Sequence, residues 1–154
     1  GPLATGVAFD SAGGARFLPP AALAGWARRQ GVADAFQSYP TLLADGAVPE
    51  PLRVADRGVD LAHRDARLAL GRLRDGRLLV ALTRFDALGP ALGVAPFGLT
   101  TPEMAALVGA LGCESAVLLD GGISAQLLVR DAGGGRRRWP GLRPVPLGLV
   151  ALPR

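Results

Sequence analysis

The sequence predicts an α+β domain in which a mixed, mostly antiparallel sheet packs with a few helices. The length of 154 residues suits one domain with one core. Hydrophobic residues make up 49% of the chain, which is ordinary for a globular protein and too high for a disordered one. Segments typical of strands outnumber those with helical spacing, so we interpret residues 1–154 as a single α+β domain.

The first third of the chain predicts short strands and one helix. The strand segments are residues 6–11, 33–39 and 41–44, with Pro40 between the last two. A helical pattern follows Pro19-Pro20 and stops at Gly31. Asp45-Gly46 is a turn signal, and residues 46–60 hold two prolines and many charges, so they predict a surface loop.

A β-hairpin is predicted in the middle of the chain. Residues 67–73 and the apolar run 78–82 flank Asp75-Gly76, a dipeptide typical of a type I′ turn. Residues 86–98 contain glycine and proline and predict a loop.

The second predicted helix has clear boundaries. Thr101 can cap it, with Pro102 at its first position, and Gly112 ends it. Four apolar residues predict its buried face: Met104, Leu107, Val108 and Leu111. Glu103 lies in the first turn, where a carboxylate offsets the helix dipole and needs no function to explain it.

The last third alternates apolar and glycine-rich segments. Residues 115–119 predict a buried strand, Asp120-Gly121-Gly122 breaks it, and residues 126–130 resume an extended chain. Residues 131–141 contain three consecutive glycines and the run Arg136-Arg137-Arg138-Trp139, which favours a solvated hairpin tip over a nucleic-acid patch. Residues 145–152 predict a final strand, with Pro146 favouring a sheet edge.

Composition argues against several classes of protein. The net charge is +4, yet the 17 basic residues are all arginine and are interspersed with 13 carboxylates, so we expect no nucleic-acid partner. No stretch of 18 uncharged apolar residues exists, and we expect no membrane span. No signal peptide is visible in this chain. The single Cys113 excludes an internal disulfide, and the single His63 excludes mechanisms that need two imidazoles.

The segment 118–124 is the first candidate for a functional site. A buried strand ends in the Asp120 carboxylate, and Gly121 and Gly122 let a ligand approach bare backbone, whose N–H groups can converge on an anion. Ser124 adds a hydroxyl. Asp120 could orient a sugar hydroxyl, hold a cation or act as a general acid/base. A tight turn after a core strand explains the same residues equally well.

Two further segments carry polar candidates. His63, Arg64, Asp65 and Arg67 gather before a predicted strand, and arginine suits forked recognition of phosphate oxygens. This segment is either the wall of a site or an exposed charged loop. Gln37 belongs to a polar cluster at the predicted strand break, which is either a substrate-contacting corner or an ordinary kink.

Taken in order, four segments resemble the phosphodiester glycosidase family, which includes the lysosomal uncovering enzyme that removes N-acetylglucosamine from a phosphodiester. Residues 37–46 are similar to a family strand and turn that run from a glutamine to P-L-L, and residues 67–76 are similar to a hairpin with the pattern R-T-A-x-G. Residues 98–105 are similar to the pattern G-x-T-x-x-E-L-A, and residues 118–124 are similar to N-L-D-G-G-G-S. The last motif is the most specific. The chain departs from the family pattern at Tyr39, Leu68, Leu118 and Ile123, and an Asn-Gly-rich segment at the family's N-terminus has no match.

The resemblance implies a hydrolase that acts on a sugar linked through phosphate, so the expected partner is a glycan or sugar-phosphodiester substrate. A divalent cation is a candidate cofactor, and export to the periplasm or beyond is expected. The site that the resemblance implies is built from Arg67, Asp120, Gly121, Gly122 and Ser124, and Glu103 and Gln37 become candidates. We expect Arg67 and the two glycine amides to hold the phosphate, and Asp120 to act as general acid/base or to position the sugar or a cation. Glu103 or Asp65 would be the second carboxylate, since glycosyl transfer usually needs a pair.

Two other functions stay open at this point. The apolar residues Leu68, Leu118 and Ile123 motivate a non-catalytic carbohydrate- or envelope-binding domain of the same fold. A hydrolase with Ser124 as nucleophile and His63 as base is the alternative enzyme.

Overall fold

A computed structural model of the chain describes residues 3–23, 31–55, 57–84 and 97–152. The strands in this part are β1 (Thr5–Asp10), β2 (Ala15–Leu18), β3 (Val32–Ser38), β4 (Thr41–Leu43), β5 (Arg67–Leu73), β6 (Leu78–Thr83), β7 (Cys113–Leu118), β8 (Leu127–Arg130) and β9 (Arg136–Trp139). The helices are α1 (Pro20–Leu23) and α2 (Thr101–Ala110), and short 3-10 turns cover Glu50–Leu52 and Gly122–Ser124.

The strands form three sheets, in which every pairing among the described residues is antiparallel. Their orders are β2-β1-β3, β4-β7-β5-β6 and β8-β9. The predicted α+β class with antiparallel strands is therefore confirmed. None of the described helices is long and apolar enough to cross a membrane.

The core lies on both faces of the four-stranded sheet. Side chains alternate along each strand, so Ala69 and Leu118 face the same cluster as Met104 of α2. Their neighbours Leu70 and Val117 point to the other face and pack with Val7 of β1. The sheet is thus enclosed between α2 and the three-stranded sheet, and this fixes β5 and β7 side by side at its centre.

The aspartate-glycine turn at residues 75 and 76 differs in type from the prediction. The hairpin of β5 and β6 is confirmed, but its loop has three residues, with Leu73 N–H donating to Arg77 O and only Gly76 at positive φ. This is a type I turn closed by a glycine bulge, so the type I′ prediction is wrong. The two-residue turn with positive φ at both positions lies instead at Asp45-Gly46, where φ is 50° and 77°.

Other boundaries also differ from the predictions. Helix α2 is capped by Thr100 rather than Thr101, and Leu111 is 52% exposed instead of buried. The predicted loop 46–60 contributes Leu52, which is only 1% exposed, to the core. The arginine run lies in strand β9 rather than in a hairpin tip.

The predicted last strand, 145–152, is irregular because Pro144 and Pro146 each lack a backbone donor. Two predictions lie largely outside the described residues, namely the helix beyond Leu23 and the loop 86–98.

Candidate active site

The pairing of β5 with β7 brings the two main candidate segments together. Ala69 lies opposite Leu118 in the antiparallel register. Beyond that pair, Leu119 N–H donates to Leu68 O at 2.7 Å and Gly122 N–H donates to Ala66 O at 2.8 Å. Asp120 lies between these two hydrogen bonds, so its backbone runs alongside that of Arg67.

The two glycines of the turn are required by the close approach of these segments. A Cβ at Gly121 would lie 2.6 Å from Ala66 O. Gly122 has a φ of +56°, and a Cβ there would lie 2.6 Å from Asp65 Oδ2. Neither position can carry a side chain unless the neighbouring strand or carboxylate moves, so the turn is built against Asp65 and Ala66.

Arg67 holds the surrounding loops from a buried position. Its side chain lies on the same face of the sheet as α2, and the residue is only 8% exposed. Nε donates to Leu99 O at 2.9 Å and Nη2 donates to His63 O at 2.6 Å. These bonds use two of the five N–H donors of the guanidinium, and the other three have no partner among the described hydrogen bonds.

Two charges act on this buried guanidinium. Burial lowers the pKa of Arg67, while the nearby carboxylates of Asp65 and Asp60 oppose that change. An arginine keeps its proton at neutral pH even so, because its ordinary pKa is far above the working range. The site therefore contains a buried positive charge with the carboxylates of Asp65 and Asp60 nearby.

The carboxylate of Asp65 and the imidazole of His63 form a pair beside Arg67. His63 Nε2 is 3.5 Å from Asp65 Oδ2, and their side chains are 54% and 29% exposed. The Asp65 Oδ1 atom accepts a hydrogen bond from Ala66 N–H at 2.8 Å. Asp60 accepts from the N–H groups of Ala62 and His63, which lowers the Asp60 pKa and holds the loop in place.

Glu103 fastens this loop to helix α2. Arg64 donates to both Glu103 oxygens, at 2.6 and 2.9 Å, and also to Gly98 O. Glu103 accepts from Thr100 N–H at 2.9 Å, and Thr100 Oγ1 accepts from Glu103 N–H, which completes a capping box. The Arg64 bonds, followed by the Thr100 backbone bond, lower the Glu103 pKa. A carboxylate held ionised in this way is suited to positioning rather than to donating a proton.

Gln37 lies apart from the other candidates, whereas Ser124 belongs to the turn itself, where its N–H donates to Gly121 O at 3.0 Å. Gln37 is exposed on β3 opposite Gly6, and no hydrogen bond links it to another candidate in the described part of the chain. Ser124 is 4% exposed, and none of the described hydrogen bonds joins its hydroxyl to His63. The Ser124–His63 arrangement stays a prediction without geometric support.

Two positioning residues escaped the sequence reasoning. Gly98 passes so close to the loop that a Cβ there would lie 2.0 Å from Asp65 O. Ser38 Oγ donates to Leu118 O at 2.5 Å and ties β3 to the end of β7. Gly98 is the first residue of the segment 98–105, and a glycine in a family motif is the sequence feature that indicates such a close backbone approach. Ser38 belongs to the same polar cluster as Gln37, but its partner is a backbone atom 80 residues away, which no sequence pattern indicates.

No group of three or more His, Cys, Asp or Glu side chains that could hold a metal ion occurs in the described part of the chain. The cation that Asp120 could bind stays a prediction.

The antiparallel α+β fold and a turn of bare backbone beside a buried arginine are consistent with a glycosidase-like domain. A sequence model described as phosphodiester glycosidase matches residues 6–152. The chain therefore belongs to the phosphodiester glycosidase family. No curated protein gives a sequence match.

A solved structure with a similar fold supports this assignment at low sequence identity. The catalytic domain of zebrafish N-acetylglucosamine-1-phosphodiester alpha-N-acetylglucosaminidase, auto-inhibited by its pro-peptide, matches with a TM-score of 0.54 and 17% identity over 79% of this chain. A hypothetical protein from Synechocystis matches with a TM-score of 0.46 and 17% identity over 89% of this chain. The matched regions are 41% of the zebrafish chain and 31% of the Synechocystis chain.

Proposed function

We propose that this domain hydrolyses the bond between a sugar and a phosphodiester. The observation that supports the proposal is the close approach of Asp65 to Gly122 and of Ala66 to Gly121, since Arg67 follows directly in the chain. Membership of the family supports the reaction class, and the printed name of the zebrafish neighbour supports a sugar-1-phosphodiester as substrate.

Arg67 is the proposed phosphate-holding group. Its three remaining donors can bind phosphate oxygens while its other two keep the guanidinium fixed, so little ordering is needed when the substrate arrives. The amides of the turn contribute less than the sequence predicts. Gly122 N–H is already bound to Ala66 O, whereas Gly121 N–H has no acceptor among the described residues. Gly121 is therefore the amide proposed to assist Arg67.

Asp120 and Asp65 are the proposed pair of carboxylates. Glu103 is set aside because both of its oxygens are occupied by Arg64. In the reaction the bond between the sugar C1 and the phosphate oxygen breaks, and water supplies a hydroxyl to C1 and a proton to the phosphate. A phosphomonoester has a second pKa of about 6 and leaves readily. Activation of the water or direct attack on C1 is therefore the larger task, and we assign it to exposed Asp120.

Hydrolysis in water labelled with heavy oxygen tests this assignment. The substrates are N-acetylglucosamine-1-phosphodiesters and related glycosyl phosphodiesters, and the products are analysed by mass spectrometry. A glycosidase places the label on the released sugar. Label on the phosphate would show cleavage of the P–O bond and would contradict the proposal.

The exposed Ile123, at 46%, favours a second candidate, a carbohydrate-binding domain without catalysis. Leu118 gives it no support, because this side chain is 5% exposed and belongs to the core rather than to the site. Binding in a glycan screen combined with no hydrolysis of any phosphodiester tested would favour this candidate.

A further inference from the structure

The ribbon of β8 and β9 presents an arginine face. In its antiparallel register Arg130 lies opposite Arg136, and Arg138 lies opposite Leu128. Opposed residues and residues two apart point to the same side, so the three arginines share one side of the ribbon. All three are exposed, and none of the ion pairs in the described part of the chain involves them.

This arrangement is unfavourable for the ribbon alone. Like charges directly opposite each other on neighbouring strands repel, and Arg130 and Arg136 form such a pair. Asp131, which follows Arg130, accepts a hydrogen bond from Gly135 N–H at 2.8 Å and so serves the turn at the tip. An anion bound between the guanidiniums would relieve the repulsion, and the guanidinium fork fits phosphate oxygens.

The base of the ribbon is attached to the candidate active site. Strand β8 begins shortly after Ser124, at Leu127. On the return, Leu142 and Arg143 N–H groups both donate to Ile123 O, at 2.8 and 3.2 Å. Side chains on one face of a strand repeat every ~7 Å, so Arg138 and Arg136 form successive steps leading away from the Asp120 turn.

We propose that the arginine face binds further phosphates of a polymeric substrate, a chain of sugars joined by phosphodiester links, whose end is hydrolysed at the Asp120 turn. This inference rests on the proposed function. Single-stranded nucleic acid fits less well, because its sites combine arginines with aromatic stacking surfaces. The aromatic residue of the ribbon, Trp139, lies opposite Leu127 on the other side.

Binding is measured apart from hydrolysis. The triple variant Arg130→Gln/Arg136→Gln/Arg138→Gln removes the arginine face. A control, Arg53→Gln/Arg74→Gln/Arg77→Gln, removes the same charge from exposed positions elsewhere. Both are compared in an Asp120→Asn background, in which we expect turnover to be slow. The probes are a synthetic oligomer of phosphodiester-linked N-acetylglucosamine, its single-unit counterpart and a single-stranded DNA of equal charge, each titrated by calorimetry.

The arginine-face variant should bind the oligomer about tenfold more weakly, with single-unit binding unchanged and the control unaffected. Equal losses in both triple variants, or tighter binding of the DNA than of the oligomer, would overturn the inference. A domain with Asp120 intact that binds the oligomer but hydrolyses no phosphodiester refutes the proposed function alone. If the single unit is hydrolysed as well as the oligomer, the role of the arginine face is refuted and the proposed function stands.

Discussion

The Cα atom of Gly122 lies against the carboxylate of Asp65, so that a Cβ at this position would fall 2.6 Å from Asp65 Oδ2. Two segments more than 50 residues apart are thereby held in contact with no side chain between them. The contact explains why a glycine is needed at position 122, both for its positive φ and for the space that it leaves to Asp65.

Gly122→Ala should therefore abolish activity and lower stability. The alanine Cβ must displace Asp65, and its positive φ adds about 1–2 kcal/mol of strain. Gly76→Ala is the matched control, because Gly76 has a φ of +87° and nothing within 4 Å of its Cβ. The control should lose about 1–2 kcal/mol in urea unfolding and keep its kcat/KM. Equal activity losses in both variants would show that the Asp65 contact is unimportant.

Arg67→Lys tests the buried guanidinium. A lysine keeps the charge but lacks the fork that reaches both His63 O and Leu99 O. We expect the free energy of unfolding to fall by about 2–4 kcal/mol, because two part-buried hydrogen bonds are lost and the charge of a buried residue is left without them. For a phosphodiester substrate the KM should rise. Arg74→Lys, at an exposed position, is the control, and a KM for Arg67→Lys equal to that of the wild type would remove the phosphate role.

Glu103 should contribute to stability in a pH-dependent way. Its folded-state pKa lies below the ordinary value of 4.5, chiefly because of Arg64. A group with a depressed folded pKa stabilises the protein above its unfolded pKa, and that contribution is lost as the pH falls through the folded pKa. Glu103→Gln should lower Tm at neutral pH, and the difference from wild type should shrink below pH 4.5.

Glu50→Gln is the matched control for this pH series, since Glu50 is 3.7 Å from Arg57 in an exposed pair. Such pairs contribute little, so its Tm should follow the wild type throughout. A Glu103→Gln difference that stays constant with pH would contradict the role given to the Arg64–Glu103 pair.

Leu52 is expected to be an anchor of the core. Leu52→Ala should reduce the free energy of unfolding by about 2–5 kcal/mol, because it leaves a cavity in a fully buried position. Leu111→Ala, at a position that is 52% exposed, should cost about 0.5 kcal/mol or less. Urea denaturation of both variants measures the contrast, and similar losses would show that the 3-10 turn at Glu50–Leu52 is not part of the core.

The sequence was sufficient where one local signal decided the structure. The apolar run before Asp120 predicted a buried strand, and Asp75-Gly76 between two apolar runs predicted a hairpin. The sequence was not sufficient where a contact between distant residues decided the structure. Leu52 lies among prolines and charges that are typical of a loop, and only tertiary packing shows it to be buried. Leu111 has the helical spacing of a core residue, but α2 ends before it.

For the candidate site, too, the sequence predicted some features and not others. The types of residue were visible in the motifs, and family resemblance placed Asp120 and Arg67 among them. Their roles depended on partners far along the chain. The sequence predicts Glu103 as a catalytic carboxylate, whereas both of its oxygens accept hydrogen bonds from Arg64, which lies 39 residues away in the chain. The sequence predicts Gly122 N–H as an anion ligand, whereas this group donates to Ala66 O.

The most direct test is the kcat/KM of Asp120→Asn on a glycosyl phosphodiester. Asp45→Asn is the control, since Asp45 is exposed at a turn with a φ of 50° that asparagine also tolerates. We predict that Asp120→Asn lowers kcat/KM by about 10²-fold or more while Asp45→Asn retains the wild-type value. Turnover by Asp120→Asn equal to that of the wild type would contradict the assignment of the active site to this turn.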